Sequence, residues 1–107
     1  MSVNTPQELF DMMPTAFNPE KAGDVNKTVV IDLTGDNGGT WTVKVADGNC
    51  TVDNGGSDSA DLTITMTADD YMAMRRGELQ PMNAFMQGKI KLQGDMGLAM
   101  KFDGWFS

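Results

Sequence analysis

An α+β fold is predicted for this chain: one five-stranded, mostly antiparallel sheet with helices packed on one face, in a single domain spanning residues 1–107. Five short runs alternate apolar and polar residues with the period of two that an extended strand imposes. Their apolar positions fall on one side and a threonine-rich set on the other, the pattern of a sheet covered on one face only. Helix-start signals stand before, between and after these runs, so the cover comes from the chain itself. A chain of 107 residues builds one core of ordinary size.

In chain order, “NTPQELFDMM” opens a helix: Thr5 suits the N-cap, Pro6 the first helical position and Glu8 the third position of a capping box. Leu9, Met12, Met13, Ala16 and Phe17 recur at helical spacing on one face. Pro14 lacks an N–H and crowds Phe10, which predicts a break or kink near Met13. “FNPEKAGDVN” reads as loop. “TVVIDLT” sets Val29, Ile31 and Leu33 against Val30, Asp32 and Thr34. After the turn “GDNGG”, the run “TWTVKV” places Trp41, Val43 and Val45 together. Asp47-Gly48 is a two-residue hairpin signal, and “NCTVD” is the return strand. “NGGSDSA” is a second loop, followed by “DLTITMT” with Leu62, Ile64 and Met66 inward and Thr63, Thr65 and Thr67 outward.

The remaining helices cover the apolar face. Thr67 and Asp70 repeat the capping pattern and open “ADDYMAMRRG”, with Gly77 as its C′ residue. Pro81 starts “PMNAFMQG”, in which Met82, Phe85 and Met86 share a face. “KIKLQ” is the last strand, with Ile90 and Leu92 inward, and Asp95 caps “MGLAMKFDGWF”.

Composition excludes several classes of function. No histidine is present, which removes the usual general base near neutral pH, the histidine-activated nucleophiles and most zinc sites. The single Cys50 excludes an intrachain disulfide and a cysteine metal cluster. Histidine- or cysteine-based catalysis and metal binding are therefore not expected. The opening residues lack the basic and apolar segments of a secretory signal, and no run approaches about 18 apolar residues, so a soluble intracellular protein is expected. A net charge of −7 argues against duplex nucleic acid as a partner. Charge is also uneven. Residues 1–71 hold three lysines and twelve acids, a balance of −9, whereas residues 72–107 hold Arg75, Arg76, Lys89, Lys91 and Lys101 against three acids, a balance of +2.

The short motifs read as structure. “GDNGG” and “GKIKLQG” match neither the P-loop nor the dinucleotide fingerprint, and glycine's ordinary use is in turns. “DNGGSDSAD” lacks the ligand spacing and terminal glutamate of a calcium loop. Cys50, spaced with Val52, has no histidine to activate it and reads as a small buried hydrophobe. The five basic residues read either as a solvated face or as a weak attraction for anionic headgroups or for the phosphates of an acyl-coenzyme A.

The methionines carry more information. Six of the ten (Met72, Met74, Met82, Met86, Met96 and Met100) fall within residues 72–100. Methionine fills irregular cores, and it also lines surfaces that accept varied apolar shapes. The last helix favours the second use: Met96, Leu98, Ala99, Met100, Phe102, Trp105 and Phe106 leave it almost no polar side. A helix apolar all round is buried or covers something, which predicts a lid over an apolar cavity.

The run “ADLTITMTADDYMAMRRGELQPMNAFMQGKIKLQGDMGLAM” closely resembles the sterol carrier protein type 2 domain family, most tellingly in “TITM” and “AFMQGKIKLQGDMGLAM”. “MPTAFNPEKAGD” and “TWTVKVADGNCTV” resemble its small, stand-alone bacterial members. The resemblance implies an apolar tunnel enclosed between sheet and helices, holding sterols, fatty acids or fatty acyl-coenzyme A, without cofactor or catalytic residues. It implies a carrier that exchanges lipid with membranes or presents it to enzymes of lipid oxidation. The chain ends “WFS”, not a peroxisomal tripeptide, in line with a bacterial-type cytoplasmic member. Carried over from the family, the tunnel wall comprises Phe85, Met86, Gln87, Ile90, Leu92, Met96, Leu98 and Met100, with Met72 and Met74 on a helix whose facing is open. Trp41 and Met66 join from the sheet by alternation. Gln87 either bonds a ligand carbonyl or hydroxyl or simply ends a helix in water. The alternative function is an interaction module docking through the apolar C-terminal helix, with Trp105 and Phe106 as exposed anchors, and the expected oligomeric state is a monomer or weak dimer.

Overall fold

The computed structural model describes residues 5–36, 38–102 and 105. The order of elements is α1 (Pro6–Ala16), α2 (Pro19–Ala22), β1 (Lys27–Thr34), β2 (Gly39–Ala46), β3 (Asn49–Asn54), β4 (Leu62–Thr67), α3 (Ala68–Arg75), α4 (Pro81–Met86), β5 (Lys91–Gly94) and α5 (Met96–Phe102). The strands form one sheet in the order β3-β2-β1-β4-β5. β1 pairs antiparallel with β2 but parallel with β4, and the other joints are antiparallel. The β2–β3 hairpin occupies one side of β1, so the chain crosses to the free side and β4 runs alongside. Its turn has Asp47 at φ 54° and Gly48 at φ 75°, the left-handed pair that suits the twist of a tight hairpin.

Caps fall where the sequence puts them. Thr5 Oγ1 accepts from Glu8 N–H at 3.2 Å, Thr67 Oγ1 from Asp70 N–H at 3.1 Å, and Asp95 Oδ1 from Leu98 N–H at 3.1 Å. Three local expectations are corrected. α1 runs through Pro14 to Ala16 without breaking, because Pro14 lies in the exposed last turn while Phe10, Met13 and Phe17 hold the helix to the core. The buried face is that set, with Leu9 half-buried against the core, whereas Met12 and Ala16 are exposed. The stretch between α1 and β1 is also not all loop: Asn18 caps a single turn, α2.

Phe10, Met13, Val29, Ile31, Val43, Val45 and Leu62 are fully buried in one core on the roofed face. α1 packs over β3, α3 over β1 and β4, and α5 over β4 and β5. The opposite face carries the threonines, yet Val30 is buried there too, between Thr42 and Thr63 in register on its neighbours. An open tunnel is not seen among the described residues; the roofed core is closed by aromatic stacking. An open polar depression lies at Gly23, Asp24, Asn26, Asp47 and Gly48.

Candidate functional site

The two ends of the roofed face are built differently. Beneath α1, the Phe10 ring lies between Trp41, with centroids 4.5 Å apart, and Tyr71, at 5.5 Å, both nearly parallel to it. Trp41 Nε1 donates to Gln7 Oε1 at 3.3 Å, and the Asn54 amide donates to the same oxygen at 2.9 Å. Gly39 lies against the Trp41 ring, where an added Cβ would come within 2.9 Å of it. This end is a filled stack with no space for a ligand.

The other end carries α4. A helix advances about 100° per residue, so Met82, Phe85 and Met86 share one side and Ala84 faces the other. Ala84 is the side that enters the core, fully buried, while Met82, Phe85 and Met86 are 62%, 46% and 77% exposed. The usual amphipathic order is inverted: the smallest apolar residue points in and the largest point out. α4 lies against no other element to the extent that α1, α3 and α5 do. Gly77 at φ 80° and Gly88 at φ 76° bracket it, and both take left-handed conformations costly to other residues.

The predicted wall residues therefore divide. Trp41 and Met66 are buried in the core, Trp41 within the aromatic stack. Leu98 and Ile90 are buried, and Leu92 and Met74 pack on the core from its margin. Met72 is buried on α3. Phe85, Met86, Gln87 and Met96 are at the surface, and the Met100 side chain lies outside the described residues. Gln87 is the C-cap of α4, its N–H donating to Asn83 and its side chain in solvent. In this closed form Phe85, Met86 and Gln87 thus lie on the outside of the roof, and Ala84 is the α4 residue that enters the core. Met82 was readable as their partner from its spacing of three and four residues. Ala84 and Phe10, which seat the two ends, gave no comparable signal.

Trp105 is inside as well. It is buried edge-on against Phe102 at 5.9 Å, and its carbonyl accepts from Asn18 N–H at 2.7 Å. With Leu98 and Phe102 buried, α5 has turned its apolar side to its own sheet, and the exposed aromatic anchor expected at Trp105 is absent; Phe106 lies outside the described residues. Burial pushes the Cys50 thiol from its ordinary 9.0 up to about 11, so it is neutral at physiological pH and a poor nucleophile. In the loop read against calcium, Asp61 is engaged: its Oδ2 accepts from Thr28 N–H at 2.8 Å. Among the described residues no group of three or more acids or cysteines could hold a metal ion, and no helix is long and apolar enough to cross a membrane.

These features define a one-sided α+β domain in which one roof helix turns its large apolar side chains outward. Residues 8–107 match the SCP-2 sterol transfer family, and the chain belongs to that family. Human sterol carrier protein 2 is 42% identical over 82 residues, which are 77% of this chain and 15% of that protein. Human hydroxysteroid dehydrogenase-like protein 2 is 34% identical over 98 residues, 91% of this chain and 23% of its own length. The chain thus spans less than a quarter of either curated relative. The solution structure of palmitated SCP2L2 from Aedes aegypti superposes with a TM-score of 0.77 at 30% identity, covering 97% of this chain and 93% of that one.

Proposed function

We propose that this chain is a non-enzymatic lipid carrier that binds fatty acids, fatty acyl-coenzyme A or sterol-like lipids and exchanges them with membranes or lipid-metabolising enzymes. The observation that carries the reading is the family match over residues 8–107. The palmitated relative supports a fatty acyl chain as one ligand. The inverted α4 supports the route. The closed form already exposes the apolar groups an acyl chain needs, and turning α4 inward about Gly77 and Gly88 brings Phe85 and Met86 over a space floored by Ile90, Leu92 and Leu98. A bilayer offers about the same 0.8 kcal/mol per methylene as a protein interior, so such a carrier works near balance with membranes. Exchange, not storage, follows from that balance. Methionine suits it because its flexible thioether repacks around varied shapes.

Titration of the purified, delipidated chain with a fluorescent sixteen-carbon fatty acid tests the reading, with about one site per chain and micromolar affinity expected. Absence of uptake of any acyl or sterol probe at micromolar protein would remove it. Mass spectrometry of lipid extracted from the protein as purified identifies the natural cargo.

A further inference from the structure

Oxidisable sulfur is sorted by depth in this molecule, and its accessible part gathers where the roof is inverted. Met13, Met66 and Met72 are buried. Met12, Met82, Met86 and Met96 are exposed, and the α4 pair is the more open, at 62% and 77% against 42% for Met12 and 46% for Met96. The single thiol does not compete. Cys50 is half-buried, and burial holds it in the unreactive neutral form. Met82 and Met86 stand one helical turn apart on the same side of α4. Neither belongs to the core cluster, so a change of polarity at these two sulfurs leaves the core as it is.

We propose that Met82 and Met86 form a modification site for hydrogen peroxide, at which conversion of the two thioethers to sulfoxides weakens lipid uptake without unfolding the chain. The site stands on exposure; its effect on uptake rests on the carrier reading and deepens it, by placing a chemical control on the same helix. In the reaction the sulfur lone pair attacks one peroxide oxygen and the O–O bond breaks. An S–O bond forms, the departing hydroxide takes the proton from the transferred oxygen, and one water leaves. Sulfur is oxidised and peroxide reduced by the same electron pair, so no further reagent is needed. The product is polar where the thioether was apolar. Facing outward, a sulfoxide is hydrated and costs the resting fold little. Turned inward over Ile90, Leu92 and Leu98, it gives up that water against apolar side chains. The oxidised chain therefore favours the closed, empty form. The same exposure admits a reducing enzyme, which makes the change reversible.

Peptide mass spectrometry of the full chain during hydrogen peroxide treatment reads the site. Met82 and Met86 should each gain one oxygen at least about tenfold faster than Met13, Met66 and Met72. Once both are oxidised, affinity for the fluorescent fatty acid should fall about tenfold with circular dichroism unchanged, and methionine sulfoxide reductases should restore it. The double variant Met82→Leu with Met86→Leu keeps Met12 and Met96. Measured against its own untreated affinity, peroxide should shift it by less than about twofold. Met12→Leu should respond as the native chain does. Oxygen gained at Met13, Met66 or Met72 as fast as on α4, dichroism lost in step with oxidation, or a fall in affinity that persists in the double variant overturns the proposal. So does unchanged affinity in the doubly oxidised chain. Failure of the unaltered, untreated chain to take up any lipid defeats the carrier reading and with it the effect on uptake, while the order of oxygen gain still decides the site.

Discussion

Phe10 and Phe85 are the same residue on two helices of the same roof, and they meet opposite fates. Phe10 is fully buried between two aromatic rings. Phe85 is nearly half exposed on a helix seated by an alanine. At the first end, stacking geometry admits one arrangement and fixes it. At the second, the large side chains have no fixed partner and are free to meet an apolar molecule. The same hydrophobic effect produces a clamp in one place and leaves an outward apolar face in the other, and seating through Phe10 or Ala84 decides which.

The largest effect that tests this contrast is on stability. Phe10→Ala should cost about 3–5 kcal/mol in urea unfolding, by lost transfer energy and the cavity left behind. Phe85→Ala should cost no more than about 0.5 kcal/mol. Similar losses for the two would erase the distinction. Next comes Gly39→Ala, whose Cβ would press on the Trp41 ring at 2.9 Å; a loss of about 1–3 kcal/mol is expected, read as a lower unfolding midpoint. Then the contrast reverses: Phe85→Ser combined with Met86→Ser should leave that midpoint unchanged and lower fatty-acid affinity about tenfold in the fluorescence titration. The smallest effect concerns Cys50, packed at the margin of the clamped end. Its thiol pKa is raised by burial, so the folded chain holds that proton more tightly than the unfolded one. The resulting stabilisation is whole below about pH 9 and is lost as pH rises through about 11. Denaturation midpoints should therefore fall slightly more for the native chain than for Cys50→Ser between about pH 8 and pH 10.5.

Most of the fold is written locally and could be read there. Period-two alternation marks all five strands, and the caps at Thr5, Thr67 and Asp95 form as their side chains dictate. What escaped depends on distant partners. The parallel joint between β1 and β4 has no local signature, because alternation assigns faces and not neighbours. The uninterrupted helix at Pro14 depends on Trp41 and Tyr71 gripping Phe10. Trp105 reads as an exposed anchor until Asn18 and Phe102 are seen to hold it. At the site, spacing identified which residues share a side of α4, but the direction of that side turned on a single buried alanine. A methyl group is too common a feature to announce itself.

Two hydrogen bonds on either side of α5 have a mechanical consequence. Near its start the Asp61 carbonyl grips the Asp95 N–H at 2.9 Å, and at its end the Trp105 carbonyl grips Asn18 at 2.7 Å. A segment riveted at both ends behaves as a crossbeam, so α5 stays in the frame whatever happens upstream of it. The slack in this part of the molecule is thereby gathered into the bow between Gly77 and Gly88, the one short arc that the proposed exchange of lipid would flex while the girders stay bolted.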